Sequence, residues 1–165
     1  MTPQLRAFLD MVAHSEIGAA LLAETDNGYN VCVGSTVGHP ILFADYSRHP
    51  GFEATHYPDG PGVSRSTMVN SDAAGRYQLM GRWWPAYRDQ LQLPDFGPAS
   101  QDRIAVQMIG ECHALDDISN GHIETALYKC RSRWASLPSA GYGQHENSAA
   151  ELLAAFRQAG GIVVG

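Results

Sequence analysis

Apolar residues recur at helical spacing at the start of the chain and through its second half, but between Asn27 and Tyr46 they alternate. One helix, a short β region and then several helices is the order of an α+β fold with its helices segregated from its sheet. The opening helix carries Leu5, Leu9 and Val12 at i, i+4 and i+7, with Phe8 widening the stripe, Thr2 placed as cap and Pro3 in the first turn. Gly18 weakens it. In Tyr29–Val33 the alternation is clear, Gly34–Pro40 is turn-like and Ile41–Phe43 is a second apolar run, which together read as a β-hairpin.

The second half reads as helices over about 74–80, from Trp84 with Pro85 in its first turn to about Leu91, and from a Ser100 cap through Ala105, Met108, Ile109, Cys112 and Leu115. Another opens at Ser119 or Asn120 and runs through Ile123, Leu127 and Cys130. The last opens at Asn147 or Ser148, turns Leu152, Leu153 and Phe156 inward and stops at Gly160-Gly161. The 17 glycines and 9 prolines leave long structured loops, the longest over His49–Asn70. A length of 165 residues suits one domain over 1–165, with a ligand expected in a cleft between sheet lobe and helical lobe.

A net charge of −6 argues against nucleic acid and anionic lipid as partners. No apolar run is long enough to insert in a membrane, and Arg6 and Asp10 interrupt the block that a signal peptide needs. Cys32, Cys112 and Cys130 form no CxxC and cannot all pair, as in a chain made in a reducing compartment, where buried thiols act as small hydrophobes. His39, His49 and His56 fall in loops, and neither they nor Glu111-Cys112-His113 follow zinc spacing, so no metal is expected. No phosphate loop or GxSxG elbow is present.

The chemistry of interest is in Glu16. Continuing the apolar period of the first helix places it on the core-facing stripe near the helix C-terminus. Burial and the negative end of the helix dipole both disfavour its charged form, and a carboxyl kept protonated near neutral pH is what a general acid requires. If the helix ends earlier, Glu16 is an ordinary solvated residue. Glycoside hydrolysis usually needs a second carboxylate. Glu24, Asp26 and Asp45 are the candidates, although Asp26 before Asn27-Gly28 reads as a turn residue and Asp45 as a strand end. Gly75-Arg76-Tyr77-Gln78 and Gly141-Tyr142-Gly143-Gln144 each set an aromatic and an amide on a glycine-flanked loop, fit for a sugar face and its hydroxyls or for simple turn packing. Of Trp83 and Trp84, one is expected in the core.

Several of these stretches resemble the phage lambda endolysin family: Ala7–Glu16, Asn27–Gly34, Leu42–Pro50, Ala74–Leu79, Arg82–Trp84, Trp134–Pro138 and Ala140–Gln144. The resemblance runs in order from about residue 5 to residue 161, with departures over Ile17–Thr25 and a longer loop over Phe52–Asn70. It implies a lysozyme-like α+β fold, a mostly helical lobe plus a small antiparallel β lobe with a glycan-binding cleft between them. It implies a lytic transglycosylase with Glu16 as single catalytic acid, and Tyr77, Gln78, Tyr142 and Gln144 along the glycan.

Arg76, Arg82, Arg131 and Arg133 can supply local attraction to an anionic wall. The implied substrate is bacterial peptidoglycan, met by a monomer without metal or organic cofactor, made in the host cytoplasm and reaching the wall through a membrane lesion. The alternatives are a muramidase that hydrolyses the same bond, a zinc amidase and a murein-binding module without activity.

Overall fold

The computed structural model describes residues 1–51, 71–143 and 145–164. The chain divides into two compact units, one made of Met1–Glu16 with the chain from Ala105 onward, the other of the described part of Ile17–Ile104.

In the first unit, helix α1 spans Pro3–Ile17. The Leu5 amide donates to Thr2 Oγ1 at 3.3 Å, so Thr2 caps as its position implies. Burial extends beyond the expected stripe: Ala7, Phe8, Leu9, Met11, Val12, Ala13 and Ser15 are all buried, so α1 is covered on more than one face. Gln4 fastens its start to the end of the chain, donating from Nε2 to Ile162 O at 2.9 Å and accepting from the Ile162 amide at 2.7 Å.

The other helices of this unit are the end of α4 (Pro98–Glu111), the short α5 (Leu115–Ser119), α6 (Ile123–Cys130) and α7 (Ala149–Gln158). Helix α6 packs on both α5 and α7. Trp134, Ile118, Ile123, Leu137, Leu152 and Phe156 are among its fully buried side chains. Leu115, expected on the stripe of α4, instead starts α5. His113 adopts φ 54, in the left-handed region, and the Ala114 amide closes back on Ile109 O at 3.2 Å, which terminates α4. Helix α6 starts at Ile123 rather than near Ser119 because Gly121 adopts φ 79. Of the two expected openings of the last helix, Asn147 and Ser148, the cap is Ser148: its Oγ accepts from the Glu151 amide at 3.2 Å and Glu151 Oε2 accepts from the Ser148 amide at 2.8 Å, a reciprocal capping box.

In the second unit, α2 (Ala19–Glu24) follows Gly18, and α3 (Trp84–Leu91) occupies the expected range behind a 3-10 turn at Gly81–Trp83. Helix α4 begins at Pro98, ahead of the expected Ser100 cap; the Ser100 hydroxyl instead donates to Asp95 Oδ1 at 3.0 Å, which also accepts from the Gly97 amide at 2.8 Å. The expected antiparallel β lobe is not shown. Pairing among the described residues consists of isolated bridges, Val31 with Leu42, Cys32 with Ala74, Thr36 with His39 and Ala74 with Leu79. Turns closed by the Tyr29 and Val31 amides occupy the run leading into the first pairing, so alternation there does not lengthen into a strand.

The short helix expected over about 74–80 is instead a tight hairpin turn. Ala74 and Leu79 exchange both backbone bonds at 3.0 Å, and Gly75 (φ 81) and Gln78 (φ 47) lie in the left-handed region that a helix cannot accommodate. Phe96 gathers the aromatic core, with Trp84 and His49 at centroid distances of 5.2 and 4.9 Å. Trp84 is 6% exposed and Trp83 47%, which settles which tryptophan is the core residue.

Candidate active site

Helix α1 runs through residue 16, so Glu16 does lie in its last turn. Its side chain is half-buried. Burial is the largest influence on the carboxyl and raises its pKa from 4.5 to about 7, against the opposing effect of side-chain and backbone hydrogen bonds from Ser136. Ser136 Oγ donates to Glu16 Oε1 at 2.5 Å. At that pKa the carboxyl exchanges a proton freely near neutrality, as a group must if it is to give a proton and take one back.

Ser136 is held from behind. It sits between the buried Trp134 and Leu137, its carbonyl accepts from the Asn147 amide at 2.9 Å, and its Oγ lies 2.7 Å from Ser15 Oγ. Asn147 Nδ2 donates to Ser15 Oγ at 3.0 Å. Sequence reasoning gave none of these three polar residues a place at the site and considered Asn147 only as a helix cap. Ser15 meets the other two across more than a hundred residues, and no local spacing announces such a contact; the one sequence signal is that Ser15 and Ser136 lie in stretches that carry the resemblance.

The second carboxylates have local partners in their own unit. Glu24 Oε2 accepts from the Gly38 amide at 3.0 Å, and Asp26 Oδ2 accepts from Tyr46 Oη at 2.6 Å. Asp45 Oδ1 accepts from the Ser47 amide at 2.8 Å, and the bonds from Ser47 hold its carboxyl below the ordinary carboxylate value. These are turn and bracing roles.

Of the residues expected along a glycan, Tyr77 and Arg76 are packed inside their unit. Tyr77 is 4% exposed, and its hydroxyl donates to Asp102 Oδ1 at 2.6 Å, alongside that of Tyr29 at 2.9 Å. Arg76 is buried over the Tyr29 ring, with Nη1 donating to Asn27 O at 2.5 Å. The close approach at Gly75 is made by Gln101, since a Cβ there would sit 2.3 Å from Gln101 Oε1. Gln78 is half-buried, its amide donating to Gly75 O at 2.9 Å.

Tyr142 is 56% exposed, with its hydroxyl donating to Ser132 O at 3.1 Å, and Gln144 lies outside the described residues, as does the chain over 52–70. The Tyr142 loop is braced by Glu146, whose carboxylate accepts from the Ser139 and Gly141 amides at 2.8 Å each. Of the other arginines, Arg133 pairs with Glu111 at 3.0 Å and Arg131 stacks on Tyr128. Among the described residues no group of three His, Cys, Asp or Glu side chains is placed to hold a metal ion, and no helix is long and apolar enough to cross a membrane.

Tyr77→Phe separates packing from glycan contact. Removing one donor from buried Asp102 is expected to cost roughly 1–3 kcal/mol of stability in urea denaturation. It should leave the KM for murein unchanged. A raised KM at unchanged stability would put the hydroxyl on the glycan instead.

The model of the Endolysin family matches residues 6–163. The chain belongs to the endolysin family. It is 48% identical over 158 residues to the endolysin of Escherichia phage P2, and 48% identical over 161 residues to that of Escherichia phage lambda. The alignments cover 96% and 97% of this chain and 93% of each relative. Among solved structures, bacteriophage lambda lysozyme complexed with a chitohexasaccharide superposes with a TM-score of 0.84 at 45% identity, covering 99% of this chain and 98% of that one. A second structure of lysozyme from bacteriophage lambda gives 0.79 at 44% identity, with the same coverage of both chains. The fold of this endolysin is therefore lysozyme-like.

Proposed function

We propose that this endolysin is a lytic transglycosylase that cleaves the β-1,4 bond between N-acetylmuramic acid and N-acetylglucosamine in bacterial peptidoglycan, with Glu16 as acid and then base. The observation that carries the reading is the Glu16 carboxyl raised to about 7 with Ser136 donating to it. The chitohexasaccharide bound by the lambda lysozyme supports a glycan as the substrate class.

Protonated Glu16 gives its proton to the glycosidic oxygen as the C1–O bond breaks, and positive charge develops at the muramic C1. The C6 hydroxyl of the same sugar attacks C1, and ionised Glu16 takes the hydroxyl proton. The products are a free glucosamine 4-hydroxyl and a 1,6-anhydro-muramic end. Water is not consumed and Glu16 returns protonated. Because the nucleophile is tethered, its effective concentration replaces a positioned water and the base to activate it. The local engagement of Glu24, Asp26 and Asp45 agrees with this, for a hydrolase would call on one of them. In this reading Gln78, Tyr142 and Gln144 lie along the glycan. The protein is expected to act as a monomer at the host cell wall after the membrane has been breached.

Mass analysis of digested murein tests the proposal. The expected products are 1,6-anhydro muropeptides, without reducing muramic ends. Reducing ends throughout would make the protein a muramidase.

A further inference from the structure

We infer that Ser136, Ser15 and Asn147 form a reversible hydroxyl relay that positions the Glu16 carboxyl in both of its protonation states. The inference rests on the reading of Glu16 as the acid and extends it to three residues that touch no substrate.

The geometry is a chain: Asn147 Nδ2 to Ser15 Oγ at 3.0 Å, Ser15 Oγ to Ser136 Oγ at 2.7 Å, and Ser136 Oγ to Glu16 Oε1 at 2.5 Å. A hydroxyl has one hydrogen to give. When Glu16 is ionised, the Ser136 hydrogen goes to the carboxylate, the Ser15 hydrogen goes to Ser136, and the Asn147 amide fills the remaining acceptor site on Ser15. Every donor then points toward the charge. When Glu16 is protonated, its own hydrogen can be given to Ser136, and Ser136 turns its hydrogen toward Ser15.

The Ser15 hydrogen then has a second acceptor waiting, Ser136 O at 3.3 Å. Both senses leave every hydroxyl hydrogen with an acceptor, and apart from the proton on the carboxyl only O–H rotations separate them. A carboxyl that must alternate between acid and base within one turnover needs this property, because a fixed donor such as an ammonium would favour the anion alone.

The anchors are rigid. Asn147 is held through its backbone amide to Ser136 O at 2.9 Å, and its Nδ2 also lies 3.2 Å from Ser15 O. Ser15 is buried on α1 one residue from Glu16, so the inner hydroxyl and the carboxyl belong to one helix turn. Of the titratable groups nearby in sequence, His14 and His145 act on the Glu151 carboxylate, and the two carboxylates have other partners. Glu146 takes the Ser139 and Gly141 amides, and Glu151 is held in the capping box of Ser148. Burial raises the Glu16 pKa, and the hydrogen bonds from Ser136 oppose it.

The experiment measures murein release against pH for wild type, Ser136→Ala, Ser136→Thr, Ser15→Ala and Glu16→Gln, with thermal melting of each. Losing the Ser136 hydroxyl should lower maximal activity about tenfold and move the alkaline limb up by roughly half to one pH unit, since the anion loses a charge-assisted bond. Ser136→Thr keeps a hydroxyl and should restore the limb. Ser15→Ala should move it in the same direction by less, and this carries the test if Ser136→Ala fails to fold.

An alkaline limb unmoved in both alanine variants, with Glu16→Gln inactive, would overturn the relay and leave Glu16 as the acid. Activity retained by Glu16→Gln would overturn the reading beneath it.

Discussion

The Glu16→Gln protein is expected to fold and to lose murein cleavage by roughly 10²–10⁴-fold, the share that a positioned general acid supplies. The amide matches the carboxyl in shape, and its oxygen can still accept from Ser136 Oγ, which lies 2.5 Å from the carboxylate it replaces. What it cannot do is release a proton to the glycosidic oxygen or take one from the C6 hydroxyl. Clearing of a permeabilised cell suspension measures the loss, and circular dichroism checks the fold. A variant that clears cells within about tenfold of wild type would remove Glu16 from the mechanism.

The same substitution should raise stability in alkaline solution. Burial lifts the Glu16 pKa from 4.5 in the unfolded chain to about 7 in the folded one. A raised folded-state value means that the native protein holds its proton more tightly than the unfolded chain does. The associated stability is fully present below 4.5 and is lost as pH rises through about 7, the reverse of a salt-bridged carboxylate. At roughly 1.4 kcal/mol per unit, the window corresponds to a loss on the order of 3–4 kcal/mol in wild type. Glutamine does not titrate. Urea denaturation on either side of the window should therefore show the Glu16→Gln protein gaining on wild type by that amount, with contributions from the histidines cancelling in the difference. A gap that stays constant with pH would mean that the folded carboxyl titrates at its ordinary value.

The first helix was legible in its residues because its signals agree. A cap at Thr2, proline at its start and an apolar period that reaches Glu16 all describe α1 as observed. Helix α3 and the last helix were legible for the same reason, although the choice of Ser148 over Asn147 as cap was settled by the fold. The turn at 74–79 was not, because small residues and an aromatic suit either a helix or a tight turn. What decides there is the left-handed φ of Gly75 and Gln78 and the Gln101 side chain pressed against Gly75, brought from a helix that starts two dozen residues later.

Tyr77 and Arg76 have partners that their glycine-flanked loop does not announce: the Tyr77 hydroxyl donates to Asp102 and Arg76 donates to the Asn27 carbonyl. Glu16 itself could be singled out from period alone, while Ser136 could not, for its role depends on a contact with α1 that only the folded chain makes.

The most direct measurement is a carbon NMR titration of the Glu16 carboxyl in the folded protein, assigned by its disappearance in Glu16→Gln. The account requires a midpoint near 7, in step with the alkaline limb of murein cleavage. A midpoint at the ordinary 4.5 would leave Glu16 ionised where the protein must act as an acid, and would contradict the account.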